Sequence, residues 1–122
     1  MSAQGLWTVQ FTQTEEEYGG MQISEAMNRG GILVLMNNKI YGGNISAYFT
    51  GSYEETDTGI SLTINGTRYN DIVAAGPFGV QDKARLLFKG RVKGDTMTLH
   101  GSLEQDPDKK LIIEAQRRSD LD

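Results

Sequence analysis

Apolar and polar residues alternate with a period of two through most of the chain, the period of a β-strand, whose successive side chains point to opposite faces. Trp7, Val9 and Phe11 alternate with Thr8 and Gln10. Ile60, Leu62 and Ile64 alternate with Ser61 and Thr63. Met97 and Leu99 alternate with Thr96, Thr98 and His100, and Leu111 and Ile113 lead into Ala115. Each set predicts one buried face of an antiparallel sheet. Two runs are apolar without alternation, GILVL from Gly31 to Leu35 and ARLLF from Ala84 to Phe88. They predict strands covered on both faces, or strands placed where the sheet closes tightly.

Polar punctuation separates the runs. MNNK at Met36 to Lys39 suits a two-residue hairpin, because Asn tolerates the left-handed conformation. KGD at Lys93 to Asp95 does the same with Gly94. EETDTG from Glu54 to Gly59 reads as a polar turn, EQDPDKK from Glu104 to Lys110 as a longer polar loop holding Pro107, and AAGPFG from Ala74 to Gly79 as another loop. Asn65-Gly66 fits either a hairpin or a bulge in one long strand. The segment Gln13 to Arg29 departs from the pattern. It predicts a long surface loop with a short helix near residues 24–29, Ser24 as its N-cap and Gly30 as its stop. A short strand through Met21 to Ile23 is the rival.

About eight strands on short connections make an all-β meander, either a sandwich or a closed barrel. The expectation is one domain over residues 1–122, a single antiparallel up-and-down β-barrel of about eight strands. Closure removes the unpaired edges that invite aggregation. Closing a small barrel also bends its strands sharply, which explains the glycines inside IYGGNISAYFTGSY. Gly42, Gly43 and Gly51 are expected at the bends, with Tyr41, Tyr48, Phe49 and Tyr53 filling the space around them.

Composition narrows the chemistry. The 122 residues include 15 Gly, 2 Pro and no Cys, which favours turns and excludes disulfides and thiolate metal sites. The opening MSAQGLWTVQF lacks the basic and apolar regions of a signal peptide, and no apolar run reaches membrane-spanning length, so a cytoplasmic location without membrane contact is expected. A net charge of −4 and a pI near 5.0 argue against direct nucleic-acid binding. The adjacent Arg117 and Arg118 read as a solvated chain end.

Catalytic groupings are missing. His100 is the single histidine. Asp95 and several serines could complete a triad with it, but no G-x-S-x-G elbow surrounds a serine. GPFG at Gly76 to Gly79 lacks the Lys and helix of a phosphate loop. No enzyme activity, cofactor or metal is expected. Two acidic clusters stand out, Glu15, Glu16 and Glu17, and Glu54, Glu55 and Asp57. Their spacing matches no calcium loop. They read either as solvated turns or as docking points for a protein partner with a basic surface. The alternative function is carriage or sensing of a small apolar ligand in the barrel interior, with Tyr41, Tyr48 and Tyr53 as its lining.

The stretches GLWTVQF, IYGGNISAYFTGSY, FGVQDKARLLFKGRVKGDTMTLHGSL and LIIEAQRR together resemble the GrlR-type regulators of bacteria. Shared features are an early Gly-x-Trp (Gly5, Trp7), a Gly-Gly pair followed by aromatics and Gly-x-Tyr (Gly42, Gly43, Tyr48, Phe49, Gly51, Tyr53), and a Phe-Gly turn at Phe78 and Gly79. The resemblance implies a lipocalin-like cytoplasmic barrel, a homodimer, and regulation by binding a transcriptional activator. The family's contact uses a Glu-Asp-Glu-Asp run that this chain lacks; its own acidic clusters are analogous in charge only.

Overall fold

Eight antiparallel strands form a closed barrel in the computed structural model, which describes residues 3–13, 30–44, 47–69 and 83–121. The strands are β1 (Gly5–Gln13), β2 (Gly30–Met36), β3 (Lys39–Gly43), β4 (Ala47–Thr56), β5 (Gly59–Arg68), β6 (Lys83–Lys93), β7 (Thr96–Leu103) and β8 (Asp106–Ser119). Each pairs with the next in sequence, and β1 pairs with β8 to close the ring. The expected helix near residues 24–29, Glu15 to Glu17 and the 74–79 loop lie outside the described residues.

The alternation sets the interior. Trp7, Val9, Phe11, Ile60, Leu62, Ile64, Leu99 and Ile113 are all buried, as their period required. Leu33, Leu35, Ile40, Phe49, Leu86 and Phe88 complete the packing. The two continuous apolar runs behave differently from their expectation. Their inner residues are buried, but Ile32 and Leu87 face outward and are 38% and 40% exposed. These strands alternate like the others, with an apolar residue at an outer position.

The turns sort the barrel into two ends. Asn37-Asn38, Asp57-Thr58 and Gly94-Asp95 are two-residue links at one end, beside residues 3–5 and 119–121. Asn37 and Asn38 have φ of 54° and 66°, the paired left-handed residues of a type I′ hairpin. The β7–β8 turn, Glu104-Gln105, lies at the other end, where β1, β3 and β5 also finish. Asn65-Gly66 is neither a hairpin nor a bulge: β5 runs through it in unbroken register. EQDPDKK is mostly strand, with a turn only at Glu104-Gln105. Pro107 lies in β8 where the register jumps from Ser102↔Lys110 to Leu103↔Asp106, an irregularity that spares a residue without an N–H from the ladder.

Gly42 and Gly51 lie where neighbouring strands approach closely. A Cβ on either would fall 1.9 Å from a carbonyl oxygen of the neighbouring strand, Ile32 O and Thr63 O respectively. Only the missing side chain lets the strands come that close. Gly43 is milder, with Ala47 O at 2.9 Å from its built Cβ.

Candidate functional site

The turn end is sealed from inside. Trp7 is fully buried and donates its indole N–H to Ala3 O at 2.9 Å. The Arg117 guanidinium lies over the indole, 4.7 Å from the ring centroid. It also pairs with Asp95 Oδ1 at 3.0 Å, donates to Gly94 O at 3.0 Å and donates to Gln4 O. Arg117 is therefore a clamp joining the first strand, the last strand and the β6–β7 turn, not a solvated chain end. Its side chain is 10% exposed. Arg118, by contrast, is exposed and donates to Thr8 Oγ1 at 3.0 Å.

The same end separates the second acidic cluster. Glu55 Oε1 accepts the Ala3 backbone N–H at 2.8 Å, so this carboxylate tethers the N-terminal segment. Glu54 points outward from β4, and Asp57 sits exposed in the β4–β5 turn, where a cleft also takes in Arg91 and Val92. Three carboxylates adjacent in sequence thus have three different surroundings. Glu54 and Asp57 remain accessible to a partner; Glu55 is engaged.

The interior is bridged by aromatic rings. Phe11 of β1 meets Phe49 of β4 edge-on at 5.7 Å between centroids, and Phe88 of β6 at 6.4 Å. β1 is three strands from both β4 and β6 round the ring, so the contacts cross the barrel interior. Of the tyrosines expected to line a ligand space, only Tyr53 faces inward, where it is buried. Tyr41 and Tyr48 point outward and are 52% and 48% exposed.

Their outward position builds a different feature. Val34 lies directly opposite Tyr41, and Gly43 lies between Ile32 on β2 and Tyr48 on β4. Directly opposite residues have Cβ atoms about 4.5–5.5 Å apart, which brings Val34 and Tyr41 together, while Ile32 and Tyr48 flank the bare Gly43 backbone on the same outer wall of β2–β4. Toward the turn end the outward positions of β4 turn polar, Thr50, Ser52 and Glu54, with Lys39 of β3 opposite Ser52. Near the loop end Tyr69 donates its hydroxyl to Asn44 O at 2.9 Å, and Asn44 Oδ1 accepts the Ala47 N–H at 2.8 Å, which fixes the β3–β4 connection beside the face. The signal was present in the sequence as Ile32 and Val34 out of phase with the buried Leu33 and Leu35.

His100 is exposed on the outer wall, opposite Lys89 and Ile112. Among the described residues, no group of three or more His, Asp or Glu is placed to hold a metal, and no helix is long and apolar enough to cross a membrane. Compared with known proteins, the chain matches no family model and no curated sequence.

Proposed function

We propose that the protein is a non-enzymatic regulatory barrel, cytoplasmic, that works by binding another protein on its outer wall. The observation that carries this reading is the contrast between the Phe11, Phe49 and Phe88 bridge across the interior and the exposed Ile32, Tyr41 and Tyr48 outside it. A carrier of apolar ligands needs its apolar space within; the Phe11, Phe49 and Phe88 contacts span the interior, while Tyr41 and Tyr48 present their rings on the wall, which favours the protein-binding reading. Tyrosines supply contact area at low entropic cost and are enriched where proteins meet. Glu54 and Asp57, at the turn end of the same wall, add charge that steers a basic partner into register. A transcriptional activator, as the resemblance implies, is one such partner.

The test is capture of partners from source cells on wild-type protein and on Tyr41→Ser/Tyr48→Ser, with organic extracts of the purified protein examined by mass spectrometry. A protein retained by wild type and lost on the variant, at unchanged melting temperature, supports the reading. A small apolar molecule extracted at one per chain, with no protein depending on the tyrosines, overturns it in favour of a carrier.

A further inference from the structure

The outward positions of β6 are Lys83, Arg85, Leu87, Lys89, Arg91 and Lys93, all exposed. Five of the six are cationic, in a chain with 12 Lys and Arg against 16 Asp and Glu. A solvated strand face requires polar residues but not a single sign. The neighbouring strands show what the requirement alone produces. β5 sets Thr67, Asn65, Thr63 and Ser61 beside the row, and β7 sets Ser102, His100, Thr98 and Thr96 beside it, with no acid among them. Glu104 reaches Arg85 at 4.0 Å, with both side chains half exposed, and Asp57 shares the turn-end cleft with Arg91. Among the described residues, Lys83, Lys89, Arg91 and Lys93 form no ion pair.

Strand geometry fixes the spacing. At about 3.3 Å per residue, neighbouring outward positions stand roughly 6.6 Å apart, and the row runs for about 33 Å. Like charges so arranged repel one another and oppose folding of the free barrel. An extended polypeptide presents every second side chain on one face with the same repeat. Alternate carboxylates on such a segment therefore match the cations in both sign and period.

We propose that the outer face of β6 is a docking track for an extended acidic segment of a protein partner. The ring is closed, so the segment finds no free edge and is read through side chains rather than by strand addition. Single-stranded nucleic acid fits less well, because its binding grooves combine cations with aromatic stacking platforms. One ring, the His100 imidazole opposite Lys89, stands at an outward position of β5, β6 or β7, and no Phe, Tyr or Trp does, which is short of a stacking platform. A membrane surface fits less well too, since Leu87 is the one apolar side chain in the row. β6 is four strands from β2 and two from β4 round the ring, so the polar outer positions of β5 separate this track from the strand that carries Tyr48.

The experiment measures fluorescence anisotropy of a labelled ten-residue peptide of alternating Glu and Ser, added to the intact protein. Oligothymidine of equal charge and vesicles containing phosphatidylserine serve as comparison probes. The peptide is expected to bind wild type, to bind more weakly as salt rises, and to lose at least about tenfold in affinity with Lys89→Glu/Arg91→Glu, as reversed rim charges do. Lys83→Glu/Lys93→Glu, at the two ends of the row, repeats the test if the first pair does not fold. Tyr41→Ser/Tyr48→Ser is expected to bind the peptide as wild type does. Absent binding, equal binding by a folded charge-reversed variant, or tighter binding of oligothymidine or vesicles than of the peptide overturns the proposal.

Discussion

Trp7 and Arg117 show how a residue's meaning depends on what reaches it. Trp7 announced its burial by period, whereas Arg117 beside Arg118 near the chain end carried no mark of its role. Its partners Gln4, Trp7, Gly94 and Asp95 come from two other regions of the chain. Trp7→Ala is expected to destabilise by about 3–5 kcal/mol, as large aromatic truncations in cores do. Arg117→Ala should cost about 2–4 kcal/mol through the ring contact and the carbonyl bonds of a charged donor. Because the two side chains touch, the double variant should lose less than the sum, which urea denaturation measures directly. Native tryptophan emission should be blue-shifted; emission typical of an exposed indole would contradict the buried position. The carboxylates divide in the same way. Glu55→Ala removes the acceptor of the Ala3 N–H and should lower stability by about 1 kcal/mol. Glu54→Ala and Asp57→Ala should leave thermal melting unchanged, since exposed charges contribute little.

Some strand positions need a bare backbone because the neighbouring strand comes too close for a Cβ. Gly42→Val or Gly51→Val would drive a side chain into Ile32 O or Thr63 O, and the expected outcome is insoluble protein or loss of the cooperative melt. A soluble Gly42→Val with the wild-type melting temperature would show that this close approach is dispensable. The sequence pointed to these two glycines because they interrupt strand patterns. A Cβ on Gly90 or Gly101 would likewise fall 2.0 Å from Thr98 O or 1.9 Å from Leu87 O, and these two were not foreseen. Both sit in strands whose alternation reads correctly through them, so nothing local marked the approach of the next strand. Pro107 misled in the opposite direction. It signalled a loop, whereas a register jump accommodates it within β8.

Closure gives the molecule two kinds of outer surface, a tyrosine wall on β2–β4 and a cationic row on β6, around an interior held by rings from β1, β4 and β6. The homodimer implied by the resemblance is checked by light scattering. Twice the 13.5 kDa chain mass is expected, and a constant single-chain mass over a wide concentration range would remove that expectation. Any partner bound through Glu54 and Asp57 should release as salt rises, because exposed charges are screened over roughly 8–10 Å at physiological ionic strength.

The sequence by itself determined most of the strands, though not the start of β8, together with the two-residue hairpins at Asn37-Asn38 and Gly94-Asp95 and the buried face, because each depends on a period or on a residue's own backbone preference. Those signals are local, and they survive without knowledge of the rest of the chain. The tertiary structure decided which tyrosines face outward, since reversal of one phase moves a side chain from core to solvent and the glycines at 42 and 43 obscured the phase between Ile40 and Tyr48. It also decided that Glu55 is a tether, that Arg117 is a clamp, and that Phe11 meets Phe49 and Phe88. Each of these rests on groups far apart in the chain, brought together only when β1 closes on β8.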